Sequence, residues 1–325
     1  MFKALVLQHD GNQLTADIQQ LDDDDLPKGN VDIAIDYSSL NYKDALAITG
    51  QGQIIRRFPM VPGIDFSGTV ISSSDSRYQQ GNQVVLTGYG VGEKHWGGMA
   101  GKAKVNADWL VPLVDGLDSK QAMQIGTAGL TAMLSVMAIE EAGMTPEQGE
   151  VLVTGASGGV GSVVISLLDA LGYRVVAVTA RMSNKIQLQS LGASRVISRD
   201  ELLTAIKPLD SQHWAAVIDC VGSHILAKAI SQTQYGGVVT ACGLAAGAGL
   251  DTTVLPFILR GVKLIGIDSV YCPYQRRLIA WQRLAKLLPT EFFANACQQI
   301  GLDQVTLYSQ KMLQGKVKGR LVIKV

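Results

Sequence analysis

Residues Val151 to Ser162, VLVTGASGGVGS, constrain the fold of this chain more than any other stretch. Mostly apolar, β-favouring residues enter a glycine-rich turn, and an apolar helical pattern leaves it. Gly155, Gly158 and Gly161 stand three apart. A strand-turn-helix of this spacing presents backbone N–H groups to a pyrophosphate at the helix N-terminus. Glycine serves where the turn needs positive φ and where a side chain would hold the phosphates away. Ser157, Gly158, Gly159 and Val160 are the turn residues expected to touch a dinucleotide. A glycine triplet alone is a weak signal, and a ligand-free αβ turn is the alternative. The readable strand before this triplet and helix after it favour the nucleotide.

The rest of the chain arranges itself around that turn. Strand patterns at 150–154, 174–179, 195–197, 215–219, 237–242 and 262–268 alternate with helical ones at 159–171, 184–191 and 223–232, after a helix at 119–142. Such alternation predicts a doubly wound parallel sheet. Residues 1 to about 117 read as mostly β, with short runs at 4–7, 31–37, 68–71 and 83–87 punctuated by Gly, Pro, Asn and Asp. Many short strands with long loops predict a compact barrel-like domain. The acidic run Asp22–Asp25 reads as a solvated turn. Two helical patterns, 274–287 and 290–299, precede a closing strand at 319–325 that should return to the first domain. The fold class is therefore α/β. A β-barrel domain covers 1–117 and is completed by about 301–325, and a dinucleotide-binding domain covers 118–300.

Composition narrows the function. Lys plus Arg equals Asp plus Glu, 28 each, which argues against a general nucleic-acid binder. The N-terminus lacks the apolar core and small-residue cleavage site of a signal peptide, and no run of about 18 apolar residues reads as a membrane span. Cys220, Cys242, Cys272 and Cys297 are scattered in or beside apolar segments, as buried thiols would be. A reducing cytoplasm is the expected location, with no membrane partner.

The second strand of a dinucleotide fold chooses the cofactor. An acid about 20 residues past the glycines binds the ribose 2′-hydroxyl of NAD, and a basic residue accommodates the 2′-phosphate of NADP. Here the segment reads Val178-Thr179-Ala180-Arg181, then Lys185, with no carboxylate. Arg181 offers a forked contact to phosphate, and Thr179 or Ser183 a hydroxyl. Solvating a helix start is the other reading of Arg181 and Lys185. Arg195, before the third strand, is a second candidate to flank the phosphate. NADP(H) is the expected cofactor. Leu244 and Ser269 follow later strands, whose C-terminal loops line the nicotinamide crevice.

Several motifs together carry a resemblance. IGTAGLTA at 125–132, VTGASGGVG at 153–161, KIQLQSLGA at 185–193 and DCVG at 219–222 resemble the medium-chain dehydrogenase/reductase superfamily. SLNYKDALAITG at 39–50 and GYGVGEKHWGGMA at 88–100 resemble its zinc-free quinone oxidoreductase side, and more narrowly its acryloyl-CoA reductase branch. The resemblance covers nearly the whole chain. It implies a GroES-like β-barrel domain, a Rossmann domain and a C-terminal strand that completes the first. Where the superfamily has Gly-His-Glu, this chain has Gly63-Ile64-Asp65, and no cysteine occurs before Cys220. A tetrahedral zinc site needs such ligands, so no zinc is expected.

The implied reaction is hydride transfer from NADPH to the C=C bond of a short α,β-unsaturated acyl-CoA thioester, acryloyl-CoA to propionyl-CoA, without metal. By resemblance Tyr42 approaches the nicotinamide, to donate a hydrogen bond or proton or to pack against the ribose. Asn41 could polarise the thioester carbonyl, and Asp44 and Asp65 could fix the loop. Arg320, on the last strand, is a candidate phosphate or carboxamide contact. His95 beside Trp96 reads as a structural pair, and Arg56 with Arg57 as a solvated pair that could meet CoA phosphates. An apolar strand at 265–270 could pair with its copy in a homodimer. An NADPH:quinone oxidoreductase is the alternative enzyme. An NADPH-binding protein without catalysis is the alternative from another class.

Overall fold

The computed structural model describes residues 1–11 and 13–325. The chain divides into two compact units. The first comprises Met1–Thr127, Ser269–Trp281 and Phe293–Val325, and the second Ala128–Asp268 and Gln282–Phe292.

The first unit opens with β1 (Phe2–His9) and β2 (Leu14–Leu21), an antiparallel pair. Next come β3 (Val31–Leu40), α1 (Tyr42–Thr49), β4 (Asp65–Ser73), β5 (Gln83–Thr87), β6 (Lys102–Val105) and β7 (Leu110–Pro112). The alternating Val-Asp-Ile-Ala-Ile of β3 buries Val31, Ile33 and Ile35 while Asp32 and Ala34 stay half-buried, as a strand with one covered face must. Those side chains meet Phe66, Val84, Leu86 and Leu110 in one apolar core.

After β7 the chain enters α2 (Ser119–Glu141), broken at Gly126, whose φ of 54° and ψ of −158° are not helical. By length and composition α2 could cross a membrane, but its apolar window is entirely buried within the protein. This corrects the expectation that no such run exists. Thr127, Thr131 and Ser135 are spread through it, and they dilute the apolar pattern in the sequence.

The second unit contains β8 (Glu150–Val153), α3 (Gly159–Ala170), β9 (Arg174–Thr179), α4 (Lys185–Ser190), β10 (Arg195–Ser198), β11 (Trp214–Asp219), α5 (Ser223–Ser231), β12 (Thr233–Ala241), α6 (Leu255–Arg260) and β13 (Lys263–Gly266). Its six strands are all parallel, in the order β10-β9-β8-β11-β12-β13. Strands β8, β9 and β11 are almost continuously buried, as expected of a sheet covered on both faces. The strand order reverses between β8 and β11, where such sheets bind ligands.

Helices α7 (Tyr274–Leu287) and α8 (Thr290–Asn295) follow. The helical pattern read to 299 stops at Asn295, because Cys297–Gly301 forms β14 against the last strand. Then α9 (Val305–Leu313) leads to β15 (Arg320–Lys324). β15 pairs antiparallel with β3, so the C-terminal strand lies in the first unit's seven-stranded sheet.

Candidate functional site

In the second unit the glycine turn joins β8 to α3 at the strand-order reversal. Gly155 holds φ at 59°, and Gly158 is the N-cap of α3. A Cβ on Gly161 would lie 2.5 Å from the Gly155 carbonyl oxygen, so the tight strand-to-helix approach requires glycine there. The first-turn N–H groups of α3, those of Gly159 and Val160 among them, have no intrahelical acceptor and point out of the helix end.

A polar cluster stands beside the turn, at the end of β9. The Ser157 and Thr179 hydroxyls are 3.0 Å apart, and Asn184 Nδ2 donates to Ser157 Oγ at 3.1 Å. The Arg181 backbone N–H donates to Thr179 Oγ1. Asn184 Oδ1 is buried with no hydrogen-bond partner, although a buried polar atom normally has one. The Arg181 and Lys185 side chains are exposed. Together these groups offer a cation, two hydroxyls, an unused buried acceptor and a side-chain-free cradle. That set fits a dinucleotide carrying a 2′-phosphate. Asn184 is the residue that sequence reasoning missed, because an asparagine at a helix start reads as a cap. It occupies the N-cap of α4 without capping it.

In the first unit a network of buried polar groups sets the start of α1. Asp44 Oδ1 accepts the backbone N–H groups of Gly63 and Ile64, and its Oδ2 accepts that of Asn41. Asp65 accepts from Ser39 Oγ at 2.6 Å, Asn41 Nδ2 at 3.0 Å and the Thr127 N–H at 2.7 Å. Arg320 donates to Asn41 Oδ1, Ser39 Oγ and the Gln124 carbonyl. Burial lowers its pKa from the ordinary arginine value, and the Asp65 charge opposes that shift. Burial and the Asp65 charge push the Asp44 carboxyl up to about 7 against the N–H donors that favour its charged form. Lys43 pairs with Glu93 at 2.7 Å, tying α1 to the 88–98 loop. On this fixed frame Tyr42 opens α1, 43% exposed.

Three of the expected contact residues have partners inside the protein. Arg195 lies at the start of β10, where its guanidinium pairs with Glu150 at 2.7 Å and sits over Trp214. Glu150 opens β8, so both residues are at the N-terminal edge of a parallel sheet, opposite the turn. Arg320 is 2% exposed, and its guanidinium donates to Asn41, Ser39 and the Gln124 carbonyl inside the fold. Asn41 has its amide bonded on both sides, to Asp65 and Ser39 through Nδ2 and to Arg320 through Oδ1.

The other positions divide between the units. Ser157, Gly158, Gly159, Val160, Thr179, Arg181 and Lys185 gather at the C-terminal end of β8 and β9. Leu244 follows β12, 66% exposed. Ser269 falls in the first unit, where its carbonyl accepts from Arg277. His95 bonds the Lys104 carbonyl and packs edge-on to Trp109. Burial pushes its pKa down. Arg56 and Arg57 are exposed.

A parallel sheet of this order, with a glycine turn at its reversal and a separate β unit carrying a buried charge network, defines a dinucleotide-binding protein of two units. Residues 27–115 match the family described as the alcohol dehydrogenase GroES-like domain, and residues 159–286 the family described as zinc-binding dehydrogenase. The probable acrylyl-CoA reductase AcuI of Escherichia coli K12 is 54% identical over 99% of both chains. The acrylyl-CoA reductase AcuI of Ruegeria pomeroyi is 52% identical over 100% of this chain and 99% of its own. The yhdH oxidoreductase of Salmonella enterica, crystallised with NADP, superposes with a TM-score of 0.98 at 54% identity, over 99% of both chains. The chain belongs to the medium-chain dehydrogenase/reductase superfamily, in its acryloyl-CoA reductase branch.

Zinc, which one family description names, does not fit the residues present. Among the described residues no three His, Cys, Asp or Glu side chains gather as a metal site, and Asp65 is spent on the Ser39, Asn41 and Thr127 donors.

Proposed function

We propose that this protein is an NADPH-dependent reductase of a short α,β-unsaturated acyl-CoA thioester, converting acryloyl-CoA to propionyl-CoA. The observation that carries the reading is the end of β9: an exposed Arg181 beside the Ser157–Thr179–Asn184 cluster, with no carboxylate in the segment. The substrate class draws its support from the two acrylyl-CoA reductases that are 54% and 52% identical.

When bound, NADPH supplies the hydride that reduces the C=C bond. The α3 N-terminus holds the pyrophosphate through the Gly159 and Val160 N–H groups. Arg181 and Lys185 take the 2′-phosphate, with Thr179 and Ser157 as hydroxyl partners. Leu244 is exposed on the loop after β12, an apolar surface for the nicotinamide end. Tyr42 directs its phenol to the acyl thioester. As negative charge grows on the thioester oxygen, a donor already in place stabilises it without reorganising, and the same hydroxyl can return a proton to the α-carbon. Asn41, Asp44, Asp65 and Arg320 fix the start of α1, which carries Tyr42.

A steady-state assay with NADPH and acryloyl-CoA tests the reading, and no NADPH oxidation above background would refute it. Faster turnover of a quinone than of the thioester would point to a quinone oxidoreductase. NADPH binding without turnover of either would point to a binding protein.

The assembly we propose is a homodimer through β13, the edge of the parallel sheet. The proposed location is the reducing cytoplasm, which keeps a close thiol pair such as Cys220 and Cys242 reduced.

A further inference from the structure

We infer that Cys220 and Cys242 form a dithiol that a peroxide converts reversibly to a disulfide, beside the nucleotide turn. Cys220 directly follows β11 and Cys242 directly follows β12. The last residues of those strands, Asp219 and Ala241, are register partners, so the two cysteines come next in register on neighbouring strands. Their sulfur atoms are 3.8 Å apart. Neighbouring strands run about 4.8 Å apart. That spacing falls within the roughly 4.4–6.8 Å between Cα atoms that a disulfide spans. Side-chain rotation alone then suffices to bring the sulfurs together.

The backbones on both sides are pinned. The Cys220 N–H donates to Thr154 Oγ1 and the Cys242 N–H to the Asp219 carbonyl, both at 3.0 Å. Both cysteines are half-buried. Cys272 and Cys297 lie in the other unit. Cys220 also lies close to the nucleotide turn, because a Cβ on Gly155 would lie 3.3 Å from Cys220 Cβ. Beyond it, Gly222 and Ser223 hold φ at 79° and 54°, and Ser223 is a non-glycine residue in the left-handed region. The Ala246 N–H donates to the Val221 carbonyl, so the two cysteine loops move together.

The chemistry balances with a peroxide as the two-electron oxidant. One thiolate sulfur attacks the O–O bond, becomes a sulfenic acid and releases water once the leaving oxygen is protonated. The second sulfur then attacks the sulfenic sulfur. The S–O bond breaks, the S–S bond forms, and the second thiol's proton leaves with the hydroxide as water. A dithiol reductant reverses the step. The neighbouring Cys242 sulfur and burial push the Cys220 pKa up. A raised Cys220 pKa leaves only a small thiolate fraction of that residue at neutral pH, and that fraction carries its attack on the peroxide.

Bond formation is independent of the nucleotide reading. Only its consequence, weaker NADPH binding at the adjoining turn, rests on that reading. The full-length protein is treated with equimolar hydrogen peroxide, unfolded and assayed for thiols, and a non-reduced digest is mapped by mass spectrometry. The four thiols should fall to two, with Cys220 linked to Cys242, and dithiothreitol should restore four. C220S and C242S should each keep all three of theirs. Four surviving thiols, or a bond to Cys272 or Cys297, overturn the proposal. In fluorescence titrations the oxidised protein should bind NADPH several-fold more weakly than the reduced, and equal affinities overturn the coupling. If reduced protein binds no NADPH while the bond still forms, the nucleotide reading fails and the thiol site stands.

Discussion

Arg181 and Arg320 carry the same guanidinium in opposite settings. Arg181 is exposed on the segment after β9, while Arg320 is buried among Asn41, Ser39 and the Gln124 carbonyl. Removing Arg181 should affect the ligand and spare the fold. R181A is expected to weaken NADPH by about 10–100-fold, the worth of a charge-assisted hydrogen bond, and to leave NADH almost unchanged. Equal losses for both cofactors would reject the 2′-phosphate role. Removing Arg320 should affect the fold. R320M leaves the Asp65 carboxylate in a buried site without its compensating cation, and urea unfolding should show a loss of roughly 3–5 kcal/mol. A change within about 0.5 kcal/mol, as at an ordinary surface site, would show that the network is not electrostatically coupled. Residue type and position made Arg181 visible in the sequence as a phosphate candidate, and the family resemblance made Arg320 one. Burial separates them, and burial depends on strands almost 300 positions apart, β3 and β15. Arg195, singled out for its place before the third strand, opens β10 and pairs there with Glu150, and a parallel sheet puts a strand's first residue at the opposite end from the loop that follows the strand.

Helix α1 is eight residues long, and its start is held by more polar contacts than its length would need. Asn41 and Asp44 close a reciprocal cap, and Asp44 also gathers the Gly63 and Ile64 N–H groups. The Asp44 pKa, about 7 when folded against an ordinary 3.8, gives the element a pH signature. Between those values the folded chain binds more protons than the unfolded one, so stability from this group is complete below about pH 4 and disappears as pH rises through 7. D44N should flatten that part of the curve. Urea midpoints compared at pH 5 and pH 8 test it, and identical slopes in wild type and D44N would rule it out. Gly126 is the second constrained position, since a Cβ there would lie 2.5 Å from an Arg320 nitrogen and 2.8 Å from an Asp65 oxygen. G126A should therefore destabilise by more than the ~1–3 kcal/mol of backbone strain alone, as thermal unfolding would show. The β8-turn-α3 unit was legible because all its determinants are local: an apolar strand, three glycines and an apolar helix. Strand β2, Leu-Thr-Ala-Asp-Ile-Gln-Gln-Leu, was not, because no alternating apolar face marks it and pairing with β1 alone makes it a strand. Strand β14 was hidden in the same way, inside a helical pattern that β15 overrides.

For the whole molecule, the unfinished feature is the β13 edge. Strand β13 pairs with β12 on one side and ends the parallel sheet on the other. Natural edges are commonly blunted by lysine, but here Lys263 Nζ donates to the Ala142 carbonyl and does not guard the edge. Leu264 is exposed on the strand, and Val254, Ile258 and Leu259 are exposed in and beside α6, which precedes it. An unpaired edge beside four exposed aliphatic side chains is a liability in a lone chain, which the proposed dimer would cover across a two-fold axis. A stable interface buries about 800 Å² per partner, more than a four-residue strand provides, so α6 must contribute as well. Disrupting either element should then separate the chains. Sedimentation equilibrium at micromolar concentration should give twice the chain mass for wild type and the chain mass for I258D and for L264K, with circular dichroism unchanged in both variants. Neither substitution touches the glycine turn, so NADPH affinity reports separately on whether the fold survived. A wild-type chain that sediments at its own mass would refute the dimer, and variants that stay dimeric would move the interface away from β13.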